Sequence, residues 1–140
     1  MKSTVPVPVA LGVLRRGNRF LVARRPSGAH QGGTWEFPGG KIKSWETPED
    51  ALRREVAEET GMTFREAVLL HIEEYSYPDR SVILYCFLCL DPEEAPQRPG
   101  PGASACESCW VTFEELRNLR MPPANKSLVE ILGEQFGDER

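Results

Sequence analysis

The residues best equipped for chemistry lie between Gly40 and Met62, where Glu46, Arg54, Glu55, Glu58 and Glu59 share one loop and one helix. Thr47-Pro48-Glu49-Asp50 reads as a helix start: Thr47 as N-cap, Pro48 at the first helical position, acids in the first turn. Gly61 supplies the stop. On that helix Glu55, Glu58 and Glu59 follow the spacing i, i+3, i+4 and share a face, while Leu52 and Val56, one turn apart, can face a core. Like charges at such spacing cost only a few tenths of a kcal/mol per pair, so a solvated helix tolerates them. A hard divalent cation would turn that cost into a site, because Mg²⁺ takes oxygen ligands, keeps several waters and leaves room for substrate phosphates. Arg54 adjoins Glu55 and stands i, i+4 from Glu58, so it can hold one of these carboxylates in place. Composition alone favours the plainer alternative of a charged, solvated helix face.

The elements that must position this cluster can be read around it. Strands are predicted near Val7 to Leu14 and Arg19 to Ala23, flanking a hairpin turn at Arg15-Arg16-Gly17-Asn18. A Gly-rich connector runs from Pro26 to Gly33. Beyond the helix, strands near Ala67 to Tyr77 and Ser81 to Leu90 meet at Pro78-Asp79-Arg80, followed by an irregular loop over Asp91 to Gly102. A short strand at Cys109 to Val111 leads into Thr112-Phe113-Glu114-Glu115, a capping box that opens a short helix. The last helix is expected from about Lys126 to Phe136, with Leu128, Ile131, Leu132 and Gln135 in register for packing. These elements fit one α+β or α/β domain.

At 140 residues the chain suits a single core. A net charge of −4 gives no electrostatic grip on long DNA or RNA and suits a small substrate. No apolar run reaches the ~18 residues a bilayer span needs, and the N-terminus lacks a signal-peptide core, so no membrane partner and a cytoplasmic location are expected, with a monomer as the default. Cys86-x2-Cys89 and Cys106-x2-Cys109 have zinc-ribbon spacing. Cys86 and Cys89 fall in a continuous apolar run that reads as a strand, however, where residues three apart point to opposite faces. Packing is the expected role of the cysteines, and a disulfide framework conflicts with a reducing compartment. His30 and His71 are isolated and receive no metal role.

Gly40-x5-Glu46-x7-Arg54-Glu55-Val56-Ala57-Glu58-Glu59-Thr60-Gly61-Met62 resembles, without gap or substitution, the signature of the Nudix hydrolases, with Met62 as the closing apolar position. Trp35-Glu36-Phe37-Pro38-Gly39-Gly40-Lys41, Tyr77-Pro78-Asp79-Arg80 and Pro122-Pro123-Ala124-Asn125 resemble segments of its MutT-type branch. The resemblance implies an α/β fold, an α/β/α sandwich around a mixed sheet, as one domain over residues 1–140. It implies a Mg²⁺-dependent hydrolase, with Mn²⁺ as an alternative, acting on a nucleoside triphosphate. Attack at the β-phosphorus would release nucleoside monophosphate and pyrophosphate and cleanse the nucleotide pool of 8-oxo-dGTP. The carbonyl of Gly39 with Glu55, Glu58 and Glu59 would ligate metal. Glu55 would lead in activating water, with Arg54 and Glu58 completing the catalytic set, while Glu46 would brace the loop. A further family carboxylate aligns with Ser104 here, the nearest acid being Glu107, a departure from the pattern.

The resemblance also implies a base-reading set: Arg25 toward sugar or phosphate, the Phe37 backbone in the pocket wall, Arg80 against the base plane, and Asn125. An amide donates one hydrogen bond and accepts another, which suits O6 and the protonated N7 of 8-oxo-guanine but not the two acceptors of guanine. Asn125 equally reads as an N-cap, Arg80 as part of an exposed turn, Arg25 as a solvated strand-end charge and Phe37 as a core aromatic. Relatives that prefer pyrimidine triphosphates tend to carry Asp where Asn125 stands. Three alternatives remain at this stage: the same chemistry on CTP, dCTP or another nucleotide, a non-catalytic nucleotide-binding module, and a zinc-ribbon interaction protein.

Overall fold

The long apolar runs become the middle of a sheet covered on both faces, as continuous rather than alternating hydrophobicity demands. The computed structural model describes residues 5–24, 33–94 and 107–136. Strand β1 (Val7–Arg16) turns through Gly17-Asn18 into β2 (Arg19–Arg24), with Arg16 opposite Arg19. Then come β3 (Trp35–Glu36), β4 (Gly39–Lys41), α1 (Pro48–Thr60), β5 (Met62–Thr63), β6 (Glu66–Ser76) and β7 (Ser81–Leu90). The chain continues through β8 (Glu93–Glu94), β9 (Glu107–Thr112), α2 (Phe113–Asn118) and α3 (Pro123–Phe136).

The main sheet runs β3-β2-β1-β7-β6, with β4 also pairing β1 and β9 pairing β2. It is mixed: β1 and β7 are parallel, from Val7 beside Val82 to Leu14 beside Cys89, while the other pairings are antiparallel. Alternate side chains of β1, β2 and β7 build two cores. Leu11, Val13, Phe20, Val22, Val82, Leu84 and Cys86 pack with Leu116, Leu128 and Leu132 of α2 and α3. Ala10, Leu14, Leu21, Phe87 and Cys89 pack with Ala51, Leu52 and Val56 of α1. The result is an α/β/α sandwich around a mixed sheet. Cys86 and Cys89 lie in opposite cores, so they cannot share an ion, and burial pushes each thiol up to about 12. Cys106 and His30 lie outside the described residues.

Helix α1 forms where its caps place it. Thr47 and Asp50 exchange hydrogen bonds in a capping box, Pro48 opens the helix, and Gly61, at φ 73°, takes the left-handed position that ends it. Three expectations change. Helix α3 begins at Pro123 rather than Lys126, because proline suits the first helical turn and both Asn125 and Lys126 donate backbone hydrogen bonds to the Pro122 carbonyl. Gln135 is exposed, and Val129 joins Leu128 and Leu132 in the core instead. Within the segment read as an irregular loop, Glu93 and Glu94 pair with Thr63 and Met62. Strand β6 forms one end of the main strand order and carries a register shift between Leu69 and His71, with Val68, Leu69 and Ile72 exposed. Among the described residues no helix is long and apolar enough to cross a membrane.

Candidate functional site

Arg54 organises the carboxylate end of the site. Its Nε and Nη2 donate to Glu46 Oε2 and Oε1 at 2.7 and 2.8 Å, a two-bond clamp between helix and loop. Its Nη1 donates to Glu55 Oε1 at 2.7 Å and lies 3.6 Å from Glu58 Oε2, while Nη2 also reaches the Lys41 carbonyl at 3.2 Å. Glu46, whose side chain is 10% exposed, accepts the Lys43 N–H as well. The hydrogen bond to Arg54, ahead of that to Lys43, holds its carboxyl down to about 2. In turn Glu46, ahead of Glu55, raises the Arg54 guanidinium above its ordinary value, so this arginine stays charged.

Gly39 and Gly40 let the backbone approach the helix. Gly39 has φ 154°, and a Cβ there would stand 2.0 Å from the Ala10 carbonyl oxygen, so only glycine fits. Its N–H donates to Glu59 Oε1 at 3.1 Å. A Cβ on Gly40 would fall 2.5 Å from the Glu55 carboxyl carbon. Glu59 sits deepest against the glycine turn, its carboxylate held by the Gly39 N–H. Burial pushes its carboxyl up to about 8, the Gly39 N–H opposes this, and the neighbouring charges of Glu55 and Glu36 add to the rise. Glu58 is 44% exposed.

Among the described residues no three His, Cys, Asp or Glu side chains converge into a ready-made metal cage. The donor set nevertheless suits a hard divalent cation. Two carboxylates, Glu55 and Glu59, face one another at a partly buried position where both charges are unfavourable together, and a cation offsets that repulsion. Glu58, on the same helix face and well solvated, can change rotamer to join them.

The other end of the site is a cavity of about 90 Å³. Val9 and Leu11 of β1, Val82 and Leu84 of β7, and Pro122 and Ala124 give it apolar walls, and Glu36, Tyr77, Arg80 and Asn125 bring polar groups to it. Arg80 and Tyr77 exchange backbone hydrogen bonds across the Pro78-Asp79 turn. Asn125, 6% exposed, accepts the Phe37 N–H on Oδ1 at 3.0 Å across 88 residues of sequence. This overturns the N-cap alternative: Asn125 lies inside α3, and its side chain serves Phe37 rather than its own helix. The Phe37 ring is buried in the core while its backbone faces the site.

The structure thus brings Gly39, Arg54, Glu55, Glu58 and Glu59 together at one end, and Phe37, Arg80 and Asn125 at the other. Arg25 and Ser104 lie outside the described residues. Glu107 starts β9 and stands 3.9 Å from Arg24, both exposed. Sequence reasoning passed over Glu36 and Tyr77 as cavity residues. The available signal was a lone acid between Trp35 and Phe37, and a tyrosine at the strand end beside the Pro78-Asp79 turn.

The family model described as NUDIX domain matches residues 5–132. The 8-oxo-dGTP diphosphatase of Escherichia coli strain K12 is 35% identical over 122 residues, covering 86% of this chain and 92% of that protein. The CTP pyrophosphohydrolase of the same organism is 32% identical over 126 residues, 89% of each chain. The crystal structure of a MutT NUDIX hydrolase from Burkholderia pseudomallei superposes with a TM-score of 0.78 at 23% identity, covering 91% of this chain and 98% of that one.

Proposed function

Since the chain belongs to the Nudix hydrolase family, whose members use a divalent metal on small nucleotide substrates, we propose that it hydrolyses 8-oxo-dGTP to 8-oxo-dGMP and pyrophosphate with Mg²⁺. Water adds to the β-phosphorus, the bond from that phosphorus to the α,β-bridging oxygen breaks, and the monophosphate leaves. The Gly39 carbonyl, Glu55, Glu58 and Glu59 would hold the metal, Mg²⁺ or Mn²⁺, which when bound neutralises phosphate charge. Glu55 accepts the proton of the attacking water. Arg54 fixes Glu55 through the 2.7 Å bond, and Glu46 anchors Arg54 from the loop side.

The observation that carries the choice of base is the Phe37–Asn125 hydrogen bond. Only the amide oxygen can accept an N–H, so this bond pins Oδ1 toward Phe37 and directs Nδ2 away from it. An oxygen has two lone pairs, and the second can take the N7 proton of 8-oxo-guanine while Nδ2 donates to O6. Unmodified guanine would set its N7 lone pair against Oδ1, and the pinned amide cannot flip to relieve the clash. One unmet buried polar atom costs ~1 to 3 kcal/mol, roughly a tenfold to hundredfold preference. Arg80 would lie against the base and Arg25 toward sugar or phosphate. On this reading the enzyme acts in the cytoplasm as a monomer and has no nucleic-acid polymer as partner.

A second reading, the same chemistry on CTP or dCTP, draws support from the similarity to a CTP pyrophosphohydrolase at nearly the same identity. Asn125 in place of the Asp expected for pyrimidine specificity favours the oxidised purine. A non-turnover binder has no need of a complete carboxylate set. The test is initial rates with Mg²⁺ on 8-oxo-dGTP, dGTP, CTP, dCTP and a dinucleoside polyphosphate, with products identified. A strong kcat/KM preference for 8-oxo-dGTP supports the proposal, preference for a cytosine nucleotide overturns the base assignment, and absence of turnover on all five overturns the hydrolytic reading.

A further inference from the structure

Arg53 precedes Arg54 at a position the signature leaves open, and it takes no part in the site described above. Its guanidinium is just as fully engaged. Nη1 donates to the Phe64 carbonyl at 2.7 Å, Nη2 to the Arg65 carbonyl at 3.1 Å and Nε to Glu49 Oε2 at 3.3 Å. The same group lies 4.4 Å from the centre of the Phe64 ring. Phe64 is buried in the core beneath α1, and Arg65 is fastened to the end of β7, its N–H donating to the Leu90 carbonyl at 2.9 Å and its Nε to Asp91. Arg53 therefore ties the middle of α1 to the β6 and β7 side of the sheet. Arg54 ties it to the other side, since Glu46 and the Lys41 carbonyl belong to β4 and the loop after it. Val9, Ala10 and Leu11 of β1 pair with β4 along one edge and with β7 along the other, so two neighbouring arginines reach past opposite edges of β1.

Between these ties α1 rests on the sheet through an apolar strip. Ala51, Leu52 and Val56 pack on Ala10 and Leu14 of β1, and a Cβ on Gly12 would come within 2.9 Å of Leu52 Cδ1. Apolar contact is non-directional, so it holds the helix down without fixing its rotation. Hydrogen bonds on both flanks do fix it, because successive residues leave a helix about 100° apart and pull in different directions. With carboxylates about 6 Å from the axis, a roll of about 10° would carry them about 1 Å, and a misplacement of about 1 Å can lower a rate about 100-fold. We propose that Arg53 is a positioning residue for the carboxylate cluster: with Arg54 it stops α1 from rolling on β1 and so sets Glu55 and Glu59 against the Gly39-Gly40 turn. It acts through the helix rather than by contact with the carboxylates. The inference rests on the proposal that those glutamates hold the cation.

The test compares the native protein with Arg53→Met, Arg53→Lys and Glu49→Gln. It reads kcat and KM on 8-oxo-dGTP with Mg²⁺, the Kd for Mn²⁺ alone from the free-ion signal in electron paramagnetic resonance, and Tm. The Mn²⁺ readout needs no substrate, so it stands apart from the choice of base. Methionine keeps an apolar stem over Phe64 and lacks every donor. Arg53→Met should lower kcat about 10- to 100-fold and weaken Mn²⁺ binding about tenfold or more, with KM changed by less than about threefold. A lower Tm, with kcat and Mn²⁺ Kd of the folded variant within about twofold of native, would make Arg53 merely structural and overturn the proposal. Arg53→Lys has one ammonium for two carbonyls, so it should stay at least about threefold below native in both readouts. If Arg53→Met does not fold, Arg53→Lys carries the test, and values within about twofold of native overturn the proposal. Glu49→Gln removes the ion pair and spares both carbonyl bonds, so it should remain within about twofold of native; a loss equal to that of Arg53→Met would assign the effect to the ion pair instead. A native protein that binds no Mn²⁺ removes the carboxylate cluster as a cation site and this inference with it. Mn²⁺ bound alike by the native protein and a folded Arg53→Met removes this inference alone.

Discussion

At the carboxylate end, Arg54 alone donates four hydrogen bonds, and every one of its partners lies within thirteen residues of it in sequence. At the cavity end, the bond that fixes the Asn125 amide joins residues 88 apart, and the cavity draws on β1, β3, β7 and the start of α3. The carboxylate end is a local device, built by one helix and the loop before it. The cavity end exists only when the sheet and α3 have assembled. This difference suggests why relatives named for 8-oxo-dGTP and for CTP resemble this chain almost equally: the hydrolytic device can stay constant while the remote cavity changes.

The largest expected effect attacks the local device. Glu59→Gln should lower kcat by more than about 100-fold, the several kcal/mol that a metal's charge stabilisation supplies, with circular dichroism and Tm showing a folded protein; an unfolded variant would make the helix face structural. Arg54→Ala should follow with roughly a 10- to 100-fold loss, and Arg54→Lys should recover little, because an ammonium cannot reproduce the two-bond clamp on Glu46. Kinetics beside thermal melts would show whether activity falls further than stability does.

At the other end, Asn125→Ala should cut kcat/KM for 8-oxo-dGTP about tenfold to hundredfold while leaving dGTP nearly unchanged. It also leaves the Phe37 N–H buried without its acceptor, so a drop of ~1 to 3 kcal/mol in unfolding free energy should appear in urea titrations. Equal losses on both nucleotides would remove the specificity assigned to the cavity.

The pH response separates two carboxylates of opposite sign. Glu59 binds its proton more tightly folded than unfolded, so its stabilising contribution is complete below the ordinary value of 4.5 and lost as pH rises through about 8. The metal-free protein should therefore show a falling Tm between about pH 5 and 8, and saturating Mg²⁺ should flatten that fall. Glu46 contributes stability above 4.5 that disappears as pH drops toward about 2. A metal-free Tm that rises across the neutral range would contradict the burial of Glu59 beside Glu55. The smallest effect is expected at exposed Cys109, where Cys109→Ser should change stability by less than about 0.5 kcal/mol, with no stoichiometric zinc in elemental analysis of the native protein.

The same contrast explains what could be read from residues alone. Helix α1 was legible because its signals are adjacent: Thr47, Pro48 and Gly61 mark its ends and Leu52 and Val56 its buried side. The central strands were legible because β1 and β7 are continuous apolar runs. The short strands β3, β4, β5 and β8 carry no periodicity of their own and exist through their partners, as Gly39–Lys41 does through Val9–Leu11. The start of α3 was missed although Pro123 signals it, because Asn125 looked like a cap. Its pairing with Phe37 is a tertiary contact that no local pattern encodes.

Strand β6 displays Val68, Leu69 and Ile72 at one end of the main sheet's strand order, a combination that invites another chain to add itself to the ladder. The irregularity between Leu69 and His71 limits that hazard. A foreign strand laid in step with Glu66 to Leu69 would arrive one residue out of step at His71, its side chains turned to the wrong face. A copy of β6 added in parallel and in register would also bring its own Glu66, Glu73 and Glu74 against the same three carboxylates. The interrupted ladder thus narrows the choice of partners that this apolar margin offers, since only a strand with a matching irregularity could pair along its whole length.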